Sequence, residues 1–178
     1  MARRRILGPL ALLVLTAAGL FSPLSPTRVS SAADGGPLLS PDGKLYLQVR
    51  GTADREAGGP PDRFVYVLDV YDMANRKVGK VRHDVKFTSP STLDLVSTFS
   101  LPDGELVNHG VEAIGPDASK QGFYLIGVHS DTDTVQGGKS TGAYAGRTGR
   151  LRMSGWHDAN KFPQTVTLND FYEITFNS

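Results

Sequence analysis

The chain has 178 residues and no cysteine, with 39% hydrophobic and 21% charged residues, a composition typical of a single globular domain. The lack of cysteine excludes thiol catalysis and thiolate metal sites. Residues 1–32 hold four of the 19 basic and none of the 18 acidic residues, which leaves 15 against 18 and a formal charge of −3. A slightly acidic domain lacks the positive surface of a nucleic-acid binder, so we expect no nucleic-acid partner.

The N-terminal residues 1–32 have the order of a secretory signal peptide. Three arginines at positions 3–5 precede an apolar run over 6–21, and small residues follow at 30–33. The run is shorter than the ~20 residues that span a bilayer. We therefore predict cleavage after Ala32 or Ala33 and a secreted protein, exported by the Sec or the twin-arginine route, without a stable membrane span in its mature form. A retained anchor is the alternative.

Beyond a polar leader at 33–43, hydrophobic residues alternate with polar ones at a period of two, which predicts β-strands. Between positions 80 and 87, for example, the odd-numbered residues are apolar or histidine and the even-numbered ones are charged. The predicted strands are 44–50, 64–71, 78–88, 92–101, 105–114, 123–130, 150–156 and 165–176. No helical period appears, and the linkers are short and rich in turn-forming residues. Residues 44–178 are thus predicted to be all-β and to form an antiparallel sandwich or an up-and-down barrel. Eight strands is the number at which a closed sheet leaves an interior filled by side chains or able to hold one small ligand.

A glycine-rich segment at 137–149, which leads into the predicted strand 150–155, resembles a segment of the allene oxide cyclase and dirigent barrel superfamily. Val70–Gly79 looks like that family's second hairpin, and Asn169–Ile174 resembles its last strand. The glycines permit tight turns, and we expect Tyr144 to plug one barrel end. The likeness spans about residues 44–177 and suggests a secreted bacterial member.

The resemblance implies that residues 44–178 form an all-β, eight-stranded antiparallel up-and-down (calycin-like) β-barrel with a hydrophobic lumen, often assembled as a trimer. Its members cyclise a fatty-acid epoxide or direct the coupling of phenoxy radicals, without a redox cofactor of their own. The family carries a carboxylate on the first strand, whereas the matching stretch Leu45–Arg50 has none.

Candidate lumen residues follow from strand parity. His83 shares a face with Val81, Val85 and Phe87, so its imidazole should point inward, as an acid, a base or a hydrogen-bonded core residue. Asp170 lies in period with the apolar residues of the last strand. It should pair with an arginine or cap the barrel end, or else serve as a base in a cavity. We therefore name His83 and Asp170 as candidate catalytic residues. Tyr66, Tyr172 and Phe87 are candidate ligand contacts, with core packing as the alternative.

Other site chemistry finds little support in the sequence. The four histidines are scattered, and the acidic residues at 131 and 133 lack the EF-hand calcium pattern, so we expect no metal. No nucleophile elbow is present, and we expect no cofactor. Asp72 is predicted to open the turn between the second and third strands.

Two functions remain open from the sequence. The first is a barrel that binds a small apolar or phenolic molecule in its lumen, or acts on it without a cofactor as a cyclase, an isomerase or a director of coupling. The second is a non-catalytic binding or envelope-associated structural barrel. Because the second strand is apolar on both faces, a homo-oligomer, trimer or dimer, is expected if Val65, Val67 and Tyr71 are shared between subunits.

Overall fold

A computed structural model describes residues 38–129 and 134–178, with only the backbone described at 128 and 129. The predicted signal peptide, the leader up to residue 37 and the acidic residues 131 and 133 lie outside the described residues. The strands are β1 Lys44–Asp54, β2 Arg63–Tyr71, β3 Lys77–Ser89, β4 Thr92–Leu101, β5 Gly104–Pro116, β6 Phe123–His129, β7 Gly149–Asp158 and β8 Thr165–Phe176.

The eight strands form one closed antiparallel barrel in chain order. Each strand pairs with the next, and β8 returns to pair with β1 along its whole length, from Lys44 opposite Thr175 to Asp54 opposite Thr165. Closure leaves neither sheet edge unpaired, which removes the usual site of edge-to-edge aggregation. The predicted fold class is confirmed.

Alternation along each strand builds the interior. On β3, Val81 and His83 are buried while Lys80 and Arg82 are exposed, as the period of two requires. The same alternation holds on the neighbouring strands β1 and β8, whose inward side chains are buried next to one another. The core includes Leu45, Leu47, Val49, Leu68, Val70, Phe99, Leu106, Leu151, Met153, Leu168 and Ile174.

One end of the barrel is closed by the glycine-rich segment after residue 136. It contains two short 3-10 turns, Gly137–Lys139 and Gly142–Tyr144. Gly142 has a φ of 57°, and a Cβ there would stand 2.1 Å from the Asp103 carbonyl oxygen, so only glycine fits against the β4–β5 turn. Tyr144 is fully buried and its ring stacks on Phe176 at 6.0 Å between centroids. The structure thus places Tyr144 as the predicted plug.

The opposite end is partly covered by the β7–β8 connection, residues 159–164. Phe162 of this connection packs edge-on against Phe64 at 5.0 Å and Phe87 at 5.5 Å. The Tyr66 hydroxyl donates a hydrogen bond to the Pro163 carbonyl oxygen at 2.7 Å. These contacts hold the connection over one side of the barrel mouth and leave the other side open.

The outer face of β2 is partly covered by the chain itself. Val65 is buried within the single chain, and its carbonyl oxygen accepts a hydrogen bond from the Glu56 amide at 2.8 Å. Val67 is 37% exposed. Burial of Val65 therefore needs no second subunit, and the homo-oligomer remains a prediction. Within residues 38–129 and 134–178, no helix has the length and hydropathy of a membrane span.

Candidate functional site

The barrel lumen contains a cavity of ≈ 260 Å³ that reaches the surface at the mouth, where Phe87 and Pro90 line it and are exposed. Its walls are mostly apolar or aromatic, and its inner part carries polar side chains. No lysine or arginine is among the described residues that line it. The lining residues are Tyr66, His83, Val85, Phe87, Pro90, Leu93, Leu95, Glu112, Ile114, Tyr124, Ile126, His157, Ala159, Phe162, Val166, Leu168, Asp170 and Tyr172.

All five residues named from the sequence line this one cavity: His83, Asp170, Tyr66, Tyr172 and Phe87. Phe87 lies at the mouth, where it is 38% exposed, whereas the other four are buried. The Tyr66 hydroxyl is engaged in its hydrogen bond to Pro163, so a ligand in the lumen would contact the ring of Tyr66 rather than its oxygen. Burial raises the pKa of Tyr66 to about 12, which keeps this hydroxyl a donor at neutral pH.

His83 is fixed by two neighbouring side chains. Its Nδ1 lies 2.9 Å from the Ser97 hydroxyl, which is directly opposite it in the β3–β4 register. Its ring stacks on Tyr172 at 6.3 Å between centroids. Burial lowers the pKa of His83 to about 3, and positive charge on His157 adds to the effect, so the imidazole is neutral. Its Nε2 has no hydrogen-bond partner among the described residues and belongs to the cavity lining.

Asp170 pairs with a histidine, so the expectation of an arginine partner is wrong. His157 Nε2 donates to Asp170 Oδ2 at 2.9 Å, and the two residues sit on the adjacent strands β7 and β8. No arginine can take this place, because the inward positions of β7 are occupied by Leu151, Met153, Gly155 and His157, while its arginines lie on the exposed parity. The alternative prediction, an inward carboxylate at the cavity, agrees with the position of Asp170.

Glu112 is a lumen residue that the sequence interpretation missed. It projects inward from β5 and is only 2% exposed. Burial raises the pKa of Glu112 well above its usual value, and negative charge on Asp170 raises it further. The buried site therefore favours the protonated, neutral form of Glu112. Its parity with Leu106 and Ile114 is the only signal of the described strand, and it is weak because Val107 and Val111 make the other parity apolar as well.

His157 was also missed as a site residue, because the predicted strand ended at residue 156. The structure extends β7 to Asp158, and the parity of Leu151 and Met153 then brings His157 to the inner face. Its side chain is 17% exposed and reaches the buried carboxylate of Asp170. Continuing the alternation by one residue would have found it.

Four buried polar atoms of this cluster have no hydrogen-bond partner within the described part of the chain. They are His83 Nε2, Glu112 Oε1, Asp170 Oδ1 and Tyr172 Oη. Burying an unpaired polar atom costs about 1–3 kcal/mol. Four such atoms around one cavity therefore lower the free energy of unfolding of the barrel. Such a cost is typical of a site whose partners come from a ligand or from bound water.

Across residues 38–129 and 134–178, no group of three His, Asp or Glu side chains is arranged to hold a metal ion.

Asp72 does open the β2–β3 turn, as predicted from the sequence. Its Oδ1 accepts hydrogen bonds from the amides of Ala74 and Arg76, each at 2.9 Å. Asn75 in this turn has a φ of 63°. Asp72 is therefore structural and lies away from the cavity.

Comparison with known proteins adds little to this description. No protein-family model and no curated protein matches the sequence. One solved structure that aligns with the chain is described as "Crystal Structure of AbnU: An exo-specific intermolecular Diels-Alderase". It is 12% identical, with a TM-score of 0.31, and the alignment covers 73% of this chain and 98% of that one. At that TM-score the similarity supports no conclusion about activity.

Proposed function

We propose that this protein binds a small, uncharged apolar or phenolic molecule in its barrel lumen and acts on it without a cofactor. One observation supports the proposal most strongly: four buried polar atoms of residues that line an apolar cavity have no hydrogen-bond partner among the described residues. Cavities with apolar walls and a few converging polar groups are the usual sites for small molecules. The superfamily resemblance points to the same class of ligand, and we extend the proposal to a secreted, cyclase-like or isomerase-like barrel.

The cavity volume sets the size of the ligand. An apolar protein cavity of about 150 Å³ is large enough to hold benzene. The volume here is ≈ 260 Å³, which suits a molecule of one to two rings. The mouth, lined by the aromatic rings of Phe87 and Phe162, favours entry of an apolar molecule.

The charges of the lining select against ions. An anion would meet the carboxylate of Asp170 with no lysine or arginine from the described lining to offset it. A cation gains little, because Asp170 already pairs with His157 and burial favours the neutral form of Glu112. An uncharged ligand with one oxygen can instead use the unpartnered donors and acceptors at no cost in buried charge.

Ligand titration tests the proposal, with β-naphthol, naphthoate and naphthylmethylammonium as matched probes. We expect β-naphthol to bind by calorimetry and naphthoate to bind at least about tenfold more weakly. Ala159→Trp should block the mouth and abolish binding, whereas Ala113→Trp on the outer wall of β5 should leave it unchanged. Absence of β-naphthol binding, preference for either ion, or equal binding by the Ala159→Trp variant would overturn the proposal.

A further inference from the structure

The lumen contains two carboxyl groups in different states, on strands three positions apart in the barrel. Asp170 on β8 has its Oδ2 held by His157, and its Oδ1 lies over Gly155, where a Cβ would stand 2.0 Å away. Glu112 on β5 makes no hydrogen bond through Oε1 to any residue described. Because His157 donates a hydrogen bond to Asp170 while burial raises the pKa of Glu112, Asp170 is placed to accept a proton and Glu112 to donate a hydrogen bond.

Tyr172 supplies a second neutral donor beside this pair. It lies two residues beyond Asp170 on the inner face of β8, and its hydroxyl is buried without a partner among the residues described. Burial raises the pKa of Tyr172 well above its usual value, and the negative charge of Asp170 acts in the same direction. The hydroxyl therefore stays protonated and can donate to an oxygen of the ligand.

We propose that the lumen catalyses proton transfer within a small uncharged carbonyl compound, with Asp170 as the base and Glu112 and Tyr172 as donors to the carbonyl oxygen. The proposal rests on the proposed function, since it needs a lumen that admits a small apolar molecule. A buried carboxylic acid and a phenol that both donate to one oxygen stabilise the charge that develops on it when a neighbouring C–H bond breaks. The fitting substrate class is a β,γ-unsaturated ketone of one or two rings.

The reaction balances without an oxidant or a second substrate. Asp170 takes a proton from the carbon between the carbonyl and the double bond, and the C–H electron pair forms a double bond to the carbonyl carbon. The carbonyl π electrons move to the oxygen, which accepts the hydrogen bonds of Glu112 and Tyr172. When the carbonyl reforms, this new double bond shifts to the α,β position and the β,γ π electrons take the proton back from Asp170 at the γ-carbon. The product is the conjugated isomer with the same formula.

His157 and Gly155 act as positioning residues in this scheme. His157 orients the Asp170 carboxylate through Oδ2, and Gly155 leaves the space that Oδ1 occupies. A phenol resembles the dienol intermediate in shape and in the position of its oxygen. Binding of phenols in the same lumen would therefore follow from the same arrangement of donors.

The test is conversion of a β,γ-unsaturated cyclohexenone to its conjugated isomer, followed by absorbance. The wild-type protein should accelerate the reaction above the buffer rate, and Asp170→Asn and Glu112→Gln should each lower this acceleration at least ~100-fold. Tyr172→Phe, which keeps the ring and its packing, should lower it by at least about tenfold. Glu173→Gln, a carboxylate on the outer face of β8, should leave it unchanged.

Binding of β-naphthol separates the two levels of the proposal. Wild-type protein that binds β-naphthol but does not accelerate the isomerisation would overturn proton transfer and leave ligand binding intact. Failure of the wild-type protein to bind β-naphthol would overturn both ligand binding and proton transfer. Folded Asp170→Asn and Glu112→Gln variants that bind β-naphthol and keep the wild-type rate would overturn the assigned roles.

Discussion

Gly155 lies directly opposite Asp170 in the β7–β8 register, and a Cβ at position 155 would stand 2.0 Å from Asp170 Oδ1. The lack of a side chain at position 155 therefore creates the space in which the buried carboxylate sits. The same Cβ would stand 2.5 Å from the Asn169 carbonyl oxygen, so rotation of Asp170 alone could not relieve the contact. This glycine links the strand pairing to the geometry of the lumen.

Gly155→Ala should therefore destabilise the barrel by about 1–3 kcal/mol, the usual cost of an overpacked core, and break the hydrogen bond between His157 and Asp170. Chemical denaturation measures the first effect, and the NMR shifts of the His157 ring report the second. Gly115→Ala is the matched control, because a Cβ there meets no atom within 4 Å, and it should change stability by less than about 0.5 kcal/mol. Equal stability of the two variants would contradict the close packing at Gly155.

Strand parity is tested at two neighbouring positions of β3. Val81 is fully buried and Lys80 is exposed, so the same substitution should have unequal effects. Val81→Asn should cost about 2–4 kcal/mol, because it removes apolar volume and buries an unpaired amide, whereas Lys80→Asn should cost under about 0.5 kcal/mol. Denaturant midpoints provide the comparison, and similar midpoints would reverse the assigned faces of the strand.

His83 should make the wild-type protein less stable in mild acid. Its pKa is lowered from 6.5 to about 3 in the folded state, so below pH 6.5 the unfolded chain binds a proton that the folded chain refuses. The contribution of the buried, neutral His83 to the free energy of unfolding is intact above pH 6.5 and is lost as the pH falls toward about 3. Relative to His83→Gln, the wild-type protein should lose stability between pH 6.5 and 4, as measured by urea denaturation. A constant difference over that range would show that His83 is not buried as a neutral ring.

Glu112 should have the opposite pH dependence. Its folded pKa is raised well above 4.5, so the folded state keeps a proton that the unfolded state releases above pH 4.5. Stability is therefore lost as the pH rises from 4.5 toward the folded pKa. Glu112→Gln should be more stable than the wild-type protein at pH 7, and the advantage should shrink as the pH falls toward 4.5. An advantage that grows with acidity would contradict a protonated Glu112.

The Tyr66 hydroxyl should hold the β7–β8 connection over the mouth. Tyr66→Phe removes its hydrogen bond to Pro163 and should cost about 1 kcal/mol. Amide hydrogen exchange should become faster in residues 159–164. Tyr71→Phe is the control, since that ring lies on the outer face under the Arg50 guanidinium, and it should leave exchange in this segment unchanged. Unchanged exchange in Tyr66→Phe would show that the connection is held by the aromatic rings alone.

Most of the fold could be predicted because alternation sets both the strands and their faces. The alternation of Val81 and His83 with Lys80 and Arg82 is unambiguous, and the Pro102–Gly104 turn separates β4 from β5 as expected. Inward placement of His83 and Asp170 followed from the same rule. The local pattern was sufficient for these two residues because β3 and β8 each have one buried and one exposed face.

Glu112 and the partner of Asp170 could not be read from the pattern in the same way. Strand β5 is apolar on both parities, because Leu106 and Ile114 share the parity of Glu112 while Val107 and Val111 lie on the other. The parity of Glu112 was therefore ambiguous. The partner of Asp170 depends on the β7–β8 register and on the gap at Gly155, and a single sequence specifies neither the register nor the gap.

A structure of the β-naphthol complex would show directly whether the lumen binds a phenol through its inner polar groups. We expect the ring system to lie inside the lumen, with its hydroxyl oxygen within hydrogen-bond distance of Glu112 and Tyr172 and its rings near Phe87 and Phe162 at the mouth. A complex with β-naphthol on the outer wall, or in the lumen with its oxygen turned toward the mouth and the Glu112 and Tyr172 hydroxyls still unpartnered, would contradict it.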